Sequence, residues 1–298
     1  MQDDYANIWG IRLQWAYLLA VVFVLMVPVF YNLYISFNEF GFGAARYEFT
    51  LDWYGVIFTD RLLTGAMGWT LALALVTVVF VVPMGLLTAK LFKQAGRRLK
   101  LTVVAVMLLP LFVPADIFAS ALLVFFKQLN RIFQTVAEMT GIGAFETWFE
   151  LGFMTAVIGL IIYTIPYVFI VILITMGRYR AEQTEAARSC GATAWRAFWD
   201  VEFPQIRAGV FSSCAFTVIL AFNEYVRTST LKGGFDTFTS VLVSQMLNIG
   251  MSEQSYAMGG LISAVAITVI GSIIVFTLVR TDRLQRIERA KAQPVGAD

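Results

Sequence analysis

The sequence predicts an all-α membrane protein with six transmembrane helices and both termini in the cytoplasm. Three observations carry this: the composition, the length of the apolar runs and the placement of Lys and Arg. Charged residues make up 14% of the 298, and the mean hydropathy is +0.74. A soluble domain carries about 25% charged residues, so this chain has too little polar surface to cover a water-facing fold. The net charge of +2 says nothing as a total, because charge on a membrane protein matters by location.

A membrane helix needs about 20 mostly apolar residues, each adding about 1.5 Å across a core of about 30 Å. Six windows qualify: Trp15–Ser36, Trp69–Phe92, Leu101–Phe126, Leu151–Met176, Val210–Leu231 and Met258–Val279. The first, fourth and sixth contain no Asp, Glu, Lys or Arg. The second has Lys90 at its end, the third has Asp116, and the fifth has Glu224 and Arg227. Pro83, Pro110, Pro114 and Pro166 are expected to kink their helices. Between the third and fourth windows, Ile132, Val136 and Met139 stand at helical spacing, the mark of a short interfacial helix.

Lys and Arg are retained in the cytoplasm. With the N-terminus inside, the cytoplasmic segments hold Arg12; Lys93, Arg97, Arg98 and Lys100; Arg178, Arg180, Arg188, Arg196 and Arg207; and Arg280, Arg283, Arg286, Arg289 and Lys291. The outer loops hold Arg46, Arg61, Arg131 and Lys232. The expected organisation is a cytoplasmic N-terminus (1–14), a six-helix domain (15–281) with a cytoplasmic loop at 178–209, and a cytoplasmic tail (282–298). Asp3 and Asp4 give an acidic start, and no small-residue cleavage site follows Pro28 to Phe37, so the first window reads as a span and not as a cleavable signal peptide.

The composition also excludes chemistry. The chain has no histidine, and its two cysteines, Cys190 and Cys214, are fewer than a structural zinc site needs. Both read as small buried residues. No Gly-x-x-x-x-Gly-Lys-Ser/Thr phosphate loop is present, so this chain does not hydrolyse ATP. No catalytic residue, metal ligand or nucleic-acid partner is expected. A membrane-embedded enzyme would need a nucleophile with a base, or a metal cluster, and the sequence offers neither. An ion-coupled secondary transporter would show paired broken helices in two related halves, and the sequence has no such internal repeat.

The longest cytoplasmic loop reads as a helix–turn–helix at the membrane surface. Residues 182–188 are good helix formers. Gly191 suits the positive φ that closes a helix. Trp195 to Val201 start a second helix, and Pro204 is expected to limit its continuation into the fifth span. Ala186 and Ala187 give the first helix a small face, and Glu185 stands ready to meet a cation on a partner.

Within this loop stand Glu185-Ala186-Ala187, three residues, Gly191, nine residues, Val201, one residue, Phe203 and Pro204. This resembles the coupling-loop signature of permease subunits of binding-protein-dependent ABC importers, with Phe203 in place of the usual leucine. The resemblance implies the type I importer fold in the bacterial inner membrane, multi-pass in lipid. It implies a second permease subunit, a pair of ATPase subunits holding ATP and Mg, and a substrate-binding protein outside. It puts Glu185, Ala186, Ala187, Gly191, Val201, Phe203 and Pro204 on the ATPase-coupling element. Ser36-Phe37-Asn38, Phe49-Thr50-Leu51-Asp52-Trp53-Tyr54 and Leu109 to Ile117 look like the spermidine/putrescine branch, whose partner permease is a related, different chain. Phe222-Asn223-Glu224-Tyr225 is similar to sugar importers as well. The implied cargo is a polyamine, with a sugar or another small solute as the alternative.

Ionisable groups inside a membrane default to functional hypotheses. Were the third and fifth spans straight, Asp116 and Glu224 would reach one depth, about 20 Å from the cytoplasmic end at roughly 1.5 Å per residue. A carboxylate ring there would suit a cation. Two structural alternatives stand beside it. Glu224 is placed to pair with Arg227 three residues on, and Asp116 to satisfy backbone freed by Pro114. Asn223, Tyr225, Tyr163 and Tyr167 are further candidates for the path.

Overall fold

The computed structural model describes residues 2–40, 43, 46–143, 146–177 and 179–292, without side chains for 2–9, 273–274 and 276–292. Arg178, the tail beyond residue 292 and the side chains of Arg280, Arg283, Arg286, Arg289 and Lys291 lie outside the described residues.

Among the described residues the regular structure is helical, with one isolated antiparallel bridge between Asn38 and Phe49. The helices are α1 (Gln2–Ser36), α2 (Asp52–Thr59), α3 (Arg61–Gln94), α4 (Arg97–Phe112), α5 (Ala115–Thr140), α6 (Phe153–Met176), α7 (Ala181–Ser189), α8 (Ala194–Arg196), α9 (Phe203–Asn223), α10 (Val226–Leu231), α11 (Phe238–Asn248) and α12 (Glu253–Ala292). A π-helical turn, Ala197–Glu202, joins α8 to α9. Five of these stretches are long and apolar enough to cross a membrane: Gly10–Ser36, Arg61–Gln94, Phe153–Met176, Ala194–Asn223 and Glu253–Ser272. The pair α4 and α5, bent by 105° at a short break, passes the same test when taken together and makes a sixth if it is one span.

The third window is therefore not one straight helix. Pro114 has no N–H to donate and forces the residue before it out of the helical region. Val113 is extended at φ −88° and ψ 128°, and α5 restarts from Pro114. Pro83, Pro110 and Pro166 lie inside continuous helices. The interfacial helix expected around residues 132–139 is the second half of α5, which runs unbroken to Thr140 and closes on Gly141 at φ +70°. The fifth window also breaks: α9 ends at Asn223, Glu224 is extended, and α10 starts at Val226.

The chain divides into two compact units, Met1–Thr64 with Leu242–Ala264, and Gly65–Val241 with Val265–Asp298. In the first, the segment after α1 folds back on itself. Thr50 N–H donates to Phe37 O at 2.8 Å, and Phe37 stacks on Phe49 and Tyr54. Ser36 Oγ and the Tyr54 hydroxyl lie 2.8 Å apart, and a side chain at Gly260 would collide with both.

The second unit is built around α6, which packs on α9, α10, α4 and α5. Its apolar residues sort into two buried clusters. Leu73, Ala74, Phe126, Val157, Leu160 and Phe222 belong to one; Val81, Ala89, Val168, Phe169, Ile172 and Ile206 belong to the other. Without a hydrophobic drive between helices in lipid, close packing must hold them. Gly85 supplies it: a Cβ there would lie 2.5 Å from Val168 Cγ1. Gly209 does the same against Thr175 of α6.

Candidate coupling loop and membrane cavity

The loop after α6 is held by local chemistry. Helix α7 ends in a two-bond C-cap: Ala192 N–H donates to Ala187 O and Gly191 N–H to Arg188 O, both at 3.0 Å. That cap needs a left-handed residue, and Gly191 sits at φ +90°. Thr193 then caps α8, its Oγ1 accepting from Arg196 N–H at 3.3 Å. Beyond it the helix does not stop at Pro204. The stretch from Ala194 to Asn223 is continuous, contrary to the expectation that Pro204 limits it. Proline in a helix loses one hydrogen bond and clashes with the carbonyl four residues back. The π turn accommodates both. Phe203 N–H reaches five residues back to Phe198 O, and the Gln205 side-chain amide donates to Val201 O at 2.8 Å.

No residue of α7 is buried. Glu185 and Ala186 are exposed and Ala187 is half-buried. Val201, Phe203 and Pro204 are half-buried, with Phe203 packed 4.8 Å from the Trp199 ring centroid. Beneath the loop, the C-terminal end of α3 forms a pedestal. Lys90 Nζ donates to Glu202 Oε2 at 2.9 Å and lies 2.8 Å from Oε1, where the contact is ionic only. The Glu202 side chain is 5% exposed, and the Lys90 ammonium stands 4.7 Å over the Phe198 ring. Lys93 donates to the Met176 carbonyl at the end of α6, and the Tyr179 hydroxyl bonds Thr184 Oγ1 at 2.7 Å. Among the described residues this pedestal borders an open cavity of about 770 Å³ that includes Glu185 and Arg188 on its wall.

The two helix breaks share a second cavity, of about 420 Å³. Residues 110–115 of the α4–α5 break line it, with Tyr163, Tyr167, Glu224 and Arg227. Glu224 Oε1 caps α10 by accepting from Arg227 N–H at 2.9 Å, and both its oxygens accept from Arg227 Nη1 at 3.1 and 3.0 Å. The guanidinium lies 4.3 Å over the Tyr163 ring. Both side chains are less than a tenth exposed. Asp116 is exposed in the first turn of α5 and is not part of this lining. The straight-span geometry that put Asp116 and Glu224 at one depth does not exist, because the break at Pro114 intervenes. Asn223 is exposed and donates to Ile219 O at 2.9 Å, while Tyr225 is half-buried.

The family described as the binding-protein-dependent transport system inner membrane component matches residues 81–281. The chain belongs to this family. It is a multi-span, non-catalytic permease subunit of an importer, which works with a separate ATPase and a binding protein that delivers the solute. That settles against the secondary transporter, for which broken spans alone would have argued. The permease is 22% identical over 289 residues to the spermidine/putrescine transport system permease protein PotC of Shigella flexneri, covering 97% of this chain and 98% of that one. It is 23% identical over 270 residues to the diacetylchitobiose uptake system permease protein DasB of Streptomyces coelicolor, covering 87% and 82%. Its fold is similar to a chain in the crystal structure of a bacterial ABC transporter for the import of alginate, with a TM-score of 0.60, 18% identity, and 91% and 97% covered.

Sequence reasoning had not paired Lys90 with Glu202. The signals were a lone lysine at the end of an otherwise uncharged span and an acid beside Pro204. Nothing in their spacing links them, because they meet only through the packing of α3 on the loop.

Proposed function

We propose that α7 is the segment through which this permease docks on its ATPase, with Glu185, Ala186, Ala187 and Gly191 at the contact and Val201, Phe203 and Pro204 fixing the loop behind them. One observation carries this reading: α7 is capped at its C-terminus and braced from below, yet buries no residue of its own. An isolated helix of this length is marginal in water. A helix built rigidly and left bare has a surface for a partner. ATP-driven closure of the ATPase pair would push on α7 and so bias the spans between two states. In this reading both termini lie in the cytoplasm, the loop is 178–209 within a membrane domain of 15–281, and the second permease is a related, different chain.

The proposed cargo is a polyamine. The near-full-length similarity to a spermidine/putrescine permease supports it, together with the first outer segment and the Leu109–Ile117 stretch. A second reading, a neutral solute such as a small oligosaccharide, has its own observation: the Glu224 carboxylate is neutralised by Arg227, so the cavity offers no free anion. The diacetylchitobiose relative points the same way. Proteoliposomes holding the assembled transporter and its binding protein decide between them. ATP-dependent uptake of radiolabelled spermidine or putrescine, unaffected by excess chitobiose, is the expected result. Uptake of the sugar with no competition by polyamine would replace the first reading with the second.

A further inference from the structure

The cavity beneath α7 carries cations to which the coupling reading gives no role. Its wall carries four cations, Lys90 and Lys93 of α3, Lys100 of α4 and Arg188 of α7, against two carboxylates, Glu185 and Glu202. Glu202 is engaged by Lys90. Among the described residues, no carboxylate pairs with Lys93, Lys100 or Arg188. Lys93 gives one of its three donors to the Met176 carbonyl and stands 5.5 Å over the Tyr179 ring. Lys100 stands 5.7 Å over the Phe92 ring. The rest of the wall is mixed: Phe92, Leu173 and Met176 give it an apolar part, and Gln94, Tyr179 and Thr184 a polar one. Leu91, two residues before Lys93, and Leu101, next to Lys100, are each 65% exposed.

We infer that this cavity binds a phosphate-bearing anion, held by Lys93, Lys100 and Arg188. The three cations share one wall without a carboxylate partner, and a phosphate bound there would accept charge-assisted hydrogen bonds from them. Basic pockets between spans suit anionic headgroups. The apolar part of the wall and the bare leucines suit an acyl chain entering from the bilayer. The phosphate could come from an anionic phospholipid or from free inorganic phosphate, and the chemistry of recognition is the same.

The test uses the complete transporter in nanodiscs, of phosphatidylglycerol or of phosphatidylcholine alone, with native mass spectrometry of what the complex retains. Retention of phosphatidylglycerol by the wild type, with affinity about fivefold weaker for each lysine removed in Lys100→Gln and in Lys93→Gln/Lys100→Gln, supports the site and names the lipid as its source. Arg97→Gln, an exposed cation outside the wall, should retain the lipid as the wild type does. Inorganic phosphate bound in phosphatidylcholine discs, lysine-dependent in the same way, supports the site with free phosphate as its source. If the double variant fails to assemble, the charge-keeping Lys93→Arg/Lys100→Arg must retain the anion. Retention of neither probe by the wild type, retention independent of Lys93 and Lys100, or an anion seen only when the ATPase is removed would each overturn the inference. Anion retention does not depend on the orientation proposed above, so its failure is separable from a failure of the topology.

Discussion

Two ion pairs brace this permease, one fully buried (Glu224–Arg227) and one with a partly exposed lysine (Lys90–Glu202), and they differ in how far the sequence disclosed them. Glu224 and Arg227 stand three residues apart, so their pairing was readable as a helical neighbour contact. The structure adds that Glu224 is extended and not helical, and its carboxylate also caps α10. Lys90 and Glu202 are 112 residues apart, and no periodicity relates them. Breaking a buried pair by removing one partner costs about 3–5 kcal/mol, because the other charge is left without compensation. Glu224→Gln is therefore expected to lower the thermal unfolding midpoint of the purified complex markedly. Glu224→Gln/Arg227→Met should recover most of it, since an apolar replacement of both partners leaves no stranded charge. A double variant as unstable as the single one would show that the pair is not what holds the α9–α10 break. If the recovered double variant also transports at the wild-type rate, Glu224 is not a cargo ligand.

At the scale of the element, the two breaks are what sequence patterning concealed. Leu101–Phe126 is apolar but for Asp116 and small polar residues, and hydropathy does not distinguish a straight span from two helices at 105°. Prolines were a signal, but Pro110 sits inside α4 while Pro114 ends it. Position decides: α5 turns away at Pro114 and packs on α10, so tertiary contact and local restriction agree there. Pro114→Ala removes both the missing donor and the constraint on Val113, a change worth about 3 kcal/mol in favour of a continuous helix. Spin labels at Val106 and Val124, both exposed, should move apart in this variant as the span straightens. An unchanged distance distribution would show that packing on α10 alone holds the bend. The loop elements were more legible. Gly191 was read as the positive-φ cap that it is. Pro204 was misread as a stop, because the π turn that carries the helix past it leaves no mark in composition.

At the scale of the whole molecule, the membrane class, the six apolar windows and the family were all legible, because each rests on local composition or on a spaced motif. Orientation rests on the Lys and Arg asymmetry, and labelling reads it directly. In a background lacking Cys190 and Cys214, single cysteines replacing Arg46 or Lys232 should react with an impermeant maleimide in intact cells, and those replacing Arg97 or Arg188 should not. Labelling at position 188 from outside would reverse the topology. The central claim is that the bare helix α7 carries the ATPase's work into the spans. Its most direct test is ATP hydrolysis by the purified complex, with and without the loaded binding protein, for wild type and Glu185→Ala. Glu185 is exposed and α7 buries nothing, so the variant should fold and insert normally. Loss of a charge-assisted contact of about 1.5–3 kcal/mol should weaken coupling ten- to a hundredfold. The expected result is an intact complex whose hydrolysis no longer rises with the loaded binding protein; full wild-type stimulation in a correctly assembled Glu185→Ala complex would contradict the account.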